Sequence, residues 1–145
     1  MPKFSTFLHE NIFFIAVLAL VIVVYLIFEF KQRSGGAKCL SPKLTASKMN
    51  EANALVIDIR AKDQFATGHI IHAKNIELAT LKDSNQLPKN KAAPIIITCD
   101  RGTTAKRAVP PLRSMGYTDI SVLEGGIFAW RKENFPIVSK SKKGK

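Results

Sequence analysis

One of the two cysteines, Cys99, stands at the junction between an apolar run, Ile95–Ile97, and a polar turn, Asp100–Thr104. Free cysteine is among the most buried residue types, so an inert place in a core is the ordinary expectation. The neighbours argue otherwise. Ile95, Ile96 and Ile97 are β-branched, follow Pro94, and read as a short strand buried on both faces, as in a parallel sheet. Cys99 then falls at the carboxyl end of that strand, where open α/β sheets gather their ligands. Gly102 permits a positive φ, and Thr103 and Thr104 are suited to capping a helix. The first amides of a helix lack intrahelical partners and attract anions. A thiol placed there is favoured as the thiolate, its nucleophilic form, and Arg101, Lys106 and Arg107 would add positive potential. Asp100 opposes this if it faces the sulfur, and is expected to face solvent.

The elements that must position such a cysteine can be read on both sides of it. Thr45–Asn50 predicts a short helix capped by Thr45, and Leu55–Ile59 a strand. Asp63–Thr67 predicts another short helix, with a brief strand near Asn75 and a helical turn over Leu78–Asp83. After the strand that ends at Cys99 come a helix from Thr103, a strand over Ile120–Leu123 and a last helix over Ile127–Glu133. Strands alternating with helices imply an α/β fold with a parallel sheet. Pro110 and Pro111 conflict with a straight helix from Thr103 to Met115. Pro110 lacks the N–H that would bond the Lys106 carbonyl, so a bend or break is expected there.

Ahead of this pattern, Ile12–Phe28 is 17 consecutive residues without charge, amide, glycine or proline. As a helix it would extend roughly 26 Å, close to a hydrocarbon core of about 30 Å. A buried core helix rarely lacks a polar stripe, and a cleaved signal peptide would need a more basic start and an Ala-x-Ala site. The run is therefore read as one transmembrane helix spanning 12–30, after a short tail at 1–11. Lys31, Arg33, Lys38, Lys43 and Lys48 follow it with no acid between Lys31 and Glu51, which orients the rest of the chain toward the cytoplasm. A basic linker at 31–40, a folded domain at 41–138 and a lysine-rich tail at 139–145 complete the organisation. The net charge of +11 lies largely in the two flanking segments, which suits anionic lipid headgroups. No aromatic residues interleave with the tail lysines, which argues against nucleic acid. Two cysteines make no disulfide framework, and a cytoplasmic setting keeps them reduced.

Four segments carry a resemblance. Val56–Arg60 (VIDIR), Phe65–Ile70 (FATGHI), Cys99–Thr104 (CDRGTT) and Leu123–Trp130 (LEGGIFAW) are similar, in order, to motifs of the single-domain rhodanese sulfurtransferases. A membrane span ahead of one such domain resembles a bacterial inner-membrane subgroup of that family. Two departures stand out: Ile71, His72 and Ala73 replace the usual Pro-Gly-Ala, and the Pro110-Pro111 pair is unusual behind the loop.

The resemblance implies a thiolate that takes the outer sulfur of a donor as a persulfide and passes it to a second nucleophile. It makes Cys99 the catalytic residue and Asp100, Arg101, Gly102, Thr103 and Thr104 the active-site and substrate loop. Arg60 and Arg101 become candidates for donor binding. Asp58 fits an orienting partner of the loop or of Arg60 better than an acid or base. The implied partners are a small-molecule sulfur donor, a thiol or cyanide-like acceptor, the lipid bilayer and a membrane or sulfur-relay protein, with no cofactor and no metal. His69 and His72 lack further ligands, and His69 reads as a structural hydrogen-bonding residue. Phosphoryl transfer by C-x5-R is disfavoured, because Ala105 stands where the arginine would be and Thr98 where the histidine would be. The remaining alternative is a membrane-tethered interaction module whose cysteine loop is not catalytic.

Overall fold

A computed structural model describes residues 4–34 and 37–139, and the chain divides into two units, Met1–Gly36 and Ala37–Lys145. In the first unit α1 (Phe4–Glu10) is joined through Asn11 to α2 (Ile12–Ser34). The apolar residues Ile12–Phe28 of α2 are exposed throughout. The segment expected to cross a bilayer is thus helical. Even so, its 17 apolar residues fall a few ångströms short of a span, and among the described residues no helix is long and apolar enough to cross a membrane. The tail expected at 1–11 is largely helix α1, and the lysine-rich tail, apart from Ser139, lies outside the described residues.

The second unit is built on a five-stranded sheet of β1 (Lys38–Leu40), β2 (Leu55–Asp58), β4 (Lys74–Asn75), β5 (Ile95–Thr98) and β6 (Ile120–Leu123), ordered β1-β6-β5-β2-β4. Every pairing in it is parallel. A small antiparallel pair, β3 (His69–Ile70) with β7 (Ile137–Val138), stands apart. Residues alternate between the faces of the central strand. Ile95 and Ile97 join Ile57, Leu81, Leu112 and Val122 on one side, while Ile96 joins Val56, Leu123, Ile127 and Trp130 on the other. All three isoleucines are fully buried, as a strand covered on both faces requires. One side is covered by 3₁₀ helices over Leu78–Asp83 and Thr104–Ala108 and by α5 (Val109–Ser114), the other by α3 (Pro42–Ala52) and α6 (Gly126–Lys132), while the short helix α4 (Lys62–Thr67) follows β2.

Several local expectations change. The first helix of the domain is capped by Ser41, whose side chain accepts from the Leu44 N–H at 3.3 Å, with Pro42 in its first turn. Thr45 lies within that helix and is fully buried. Lys38–Leu40, expected in the linker, forms edge strand β1, because Cys39 and Leu40 pair with Val122 and Leu123. Cys39 is exposed on that edge. The segment after Cys99 is divided. A 3₁₀ turn carries it to Ala108, the Val109 N–H bonds the Lys106 carbonyl, and α5 restarts with the prolines in its first turn. Their missing N–H groups are harmless there. His72, where the resembling motif has glycine, adopts φ 60°, a left-handed conformation that an L side chain occupies at some cost.

Candidate active site

Cys99 follows β5 directly and is only 4% exposed. Its Sγ accepts two backbone hydrogen bonds, from the Gly102 N–H at 3.0 Å and the Ala105 N–H at 3.3 Å. The chain from 99 to 105 therefore curls around the sulfur with amides pointing inward, a concave donor set of the kind that holds anions. Gly102 makes the curl possible: its φ is +87°, and a Cβ there would meet the Gly125 nitrogen at 3.0 Å and the Leu123 carbonyl at 3.1 Å. Thr103 begins the 3₁₀ turn without a side-chain capping bond, so the backbone rather than a threonine hydroxyl shapes this start. Asp100, Arg101, Thr103 and Thr104 are exposed around the rim, and Asp100 faces solvent as expected.

The loop is held from behind by the segment Leu123–Trp130. The Ile127 N–H donates to the Cys99 carbonyl at 2.9 Å, and the Phe128 N–H donates to the Asp100 carbonyl at 3.0 Å. Those amides reach the loop because Gly125 and Gly126 turn the chain with φ of 72° and 58°. A Cβ on Gly126 would stand 2.4 Å from the Cys99 carbonyl oxygen, so the close approach leaves room for hydrogen only. The paired glycines are thus the contact between α6 and the loop.

Asp58 and Arg60 occupy the adjacent strand end. Asp58 is fully buried and Arg60 is 7% exposed. The Arg60 Nε donates to both Asp58 carboxylate oxygens at 3.0 Å, and Nη2 donates to Oδ2 at 2.7 Å. Nη2 also donates to the Gly68 carbonyl at 2.7 Å. Arg60 thus ties strand β2 to the turn before β3, with Asp58 as its orienting partner through Nε and Nη2. Asp58 lies level with Thr98, and the Ile59 N–H bonds the Thr98 carbonyl at 3.0 Å. The pair therefore fixes the strand end from which the cysteine loop departs.

His69 is structural: its Nδ1 lies 2.8 Å from the Phe65 carbonyl and its ring stacks on Phe65. Among the described residues no group of three or more His, Cys, Asp or Glu side chains is placed to hold a metal ion. An open cleft of about 1010 Å³ lies elsewhere, lined by Ala61, Phe65, Asn75 and Glu77 among others, and includes no residue of the cysteine loop. Sequence reasoning missed the Ala105 amide, the Gly68 carbonyl and the approach of Arg101 to Phe128. The first two are backbone groups of unremarkable residues, and the third joins residues 27 positions apart.

Comparison with known proteins agrees with this geometry. Residues 41–133 match the family model of the rhodanese-like domain. The chain is 30% identical over 126 residues to the uncharacterized protein YibN of Escherichia coli (strain K12), covering 86% of this chain and 87% of that one. It is 32% identical over 90 residues to thiosulfate sulfurtransferase GlpE of Pseudomonas fluorescens (strain SBW25), covering 62% of this chain and 82% of that one. A rhodanese-like domain protein from Staphylococcus aureus superposes with a TM-score of 0.61 at 30% identity, covering 72% of this chain and 99% of that one.

Proposed function

The chain belongs to the rhodanese-like domain family, and from that membership we propose that it is a sulfurtransferase that carries a sulfane sulfur on Cys99. Relatives named as thiosulfate sulfurtransferases support sulfur transfer at the level of the family. The observation that carries the reading for this chain is the pair of amides aimed at Cys99 Sγ, at 3.0 and 3.3 Å. Donors so placed stabilise an anionic sulfur without a general base. The thiolate attacks the outer sulfur of a thiosulfate-like or persulfide donor. The donor's S–S bond breaks, its electron pair leaves with the departing sulfite or thiolate, and Cys99 is left as a persulfide anion. An acceptor thiolate or cyanide then attacks the outer sulfur, and the electron pair of the Cys99 S–S bond returns to Sγ. The cycle needs no cofactor and no net oxidant.

The same proposal places the protein at the cytoplasmic face of a bacterial inner membrane, with the bilayer as a partner and a membrane or sulfur-relay protein as a further one. The exposed apolar residues Ile12–Phe28 support this. In a locally thinned bilayer, with flanking residues snorkelling to the interface, a helix slightly short of a span can still be anchored. The full chain should sediment with membranes and, in that fraction, give parallel double-reciprocal plots for donor and acceptor, the pattern of a two-step covalent relay. Intersecting plots would exclude the relay, and activity recovered wholly in the soluble fraction would exclude the anchor.

A further inference from the structure

Two arginines stand near the nucleophile, and they are held in opposite ways. The Arg60 donors Nε and Nη2 are taken up by the Asp58 carboxylate and the Gly68 carbonyl. Arg101 is exposed on the loop, and among the described residues no carboxylate pairs with it. Its described partner is the ring of Phe128, with the guanidinium carbon 5.8 Å from the ring centroid. Phe128 has no core role to explain it. It is 60% exposed, while Ile127 and Trp130 of the same helix are 1% and 2% exposed and fill the core. The ring is delivered to the loop by its own backbone, since the Phe128 N–H holds the Asp100 carbonyl at 3.0 Å.

The chemistry of the two partners differs. A carboxylate holds a guanidinium through its N–H donors and neutralises its charge, as at Arg60. An aromatic face attracts the cation through the ring quadrupole and leaves both the charge and the donors available. We propose that Phe128 is a positioning residue: it holds the Arg101 guanidinium beside the loop so that anionic reactants are favoured over neutral ones at Cys99. The inference deepens the sulfurtransferase reading, resting on Cys99 as the reacting group, and it narrows the preferred sulfur compounds to those bearing an oxyanion.

The test compares alkylation of Cys99 in the full chain by iodoacetate, an anion, and by iodoacetamide, its neutral analogue. Both consume the same thiolate, so the ratio of their rates reports selection by charge and cancels any change in thiolate fraction. Rates are read on the Cys99 peptide by mass spectrometry, which keeps Cys39 out of the signal. Phe128→Ala should lower the iodoacetate-to-iodoacetamide ratio by about two- to fivefold, the scale of an exposed cation–π contact. Phe128→Tyr should preserve it, and in an Arg101→Ala background Phe128→Ala should change nothing further. A ratio unmoved by Phe128→Ala while Arg101→Ala lowers it would overturn the proposal. So would an equal effect of Phe128→Ala with and without Arg101. A protein that shows the expected ratios yet loads sulfur from no donor would support the positioning role and refute the sulfurtransferase reading.

Discussion

Replacing Asp58 with alanine is expected to cost about 3–5 kcal/mol of folding stability, the range for removing one partner of a buried ion pair. The carboxylate is fully buried and accepts from the Arg60 backbone N–H at 3.0 Å as well as from its guanidinium. Truncation strands a cation whose side chain is only 6% exposed, leaving its Gly68 contact as the one described acceptor for Nη2. Asn75 bridges the backbone carbonyls of both residues, at 3.1 and 2.8 Å, so the strand end would lose its internal order as well. Domains of ordinary size are stable by about 5–15 kcal/mol, and this loss is a large share of that. Denaturant unfolding of the full chain, monitored at Trp130 in the domain core, measures it. A loss below about 1 kcal/mol would show that the pair is not what secures this strand end. Sulfur transfer should fall with the folded fraction, because the described partners of Arg60 are Asp58 and the turn before β3.

Changing Cys99 to serine is expected to abolish sulfur transfer, by on the order of 10³-fold or more, the scale on which loss of a covalent nucleophile is read. The hydroxyl can accept the Gly102 and Ala105 amides much as the sulfur does. It cannot form the persulfide. The fold should survive, with a stability change of no more than about 1–2 kcal/mol, since the substitution is nearly isosteric and leaves the two N–H groups paired. Residual transfer within tenfold of the parent protein would assign the sulfur to another group, and Cys39, the other cysteine, would be the one to examine.

Strands were legible in the sequence where burial on both faces leaves a continuous apolar run. Ile95–Thr98 and Ile120–Leu123 are strands within a residue of their expected bounds. The signal was weaker where an element is defined by its neighbours. Lys38–Leu40 has no apolar alternation, and only pairing with β6 makes it a strand. The β3–β7 pair, two residues a side, lies below any periodic signal. The cap of α3 was misplaced because Ser41 precedes Pro42, a stronger start than the buried Thr45. At the candidate site, side-chain identity pointed to Cys99 and to Asp58 and Arg60 but not to the backbone groups around them. Gly102 was visible as a turn residue, yet only the fold shows that it curls amides onto Sγ while Gly125 and Gly126 dock α6 on the loop carbonyls. Arg101 and Arg60 looked interchangeable as donor-binding cations; burial and partners separate them.

Mass spectrometry of the full chain after incubation with sulfane-sulfur donors tests the central claim most directly. Thiosulfate and a low-molecular-weight persulfide would be offered in turn, and the peptides analysed without reductant. The account predicts the gain of one sulfur atom on the Cys99 peptide, removed again by cyanide or an acceptor thiol, with the Cys39 peptide unchanged. A Cys99 peptide that keeps its mass with every donor would contradict it, and would favour an interaction module over an enzyme.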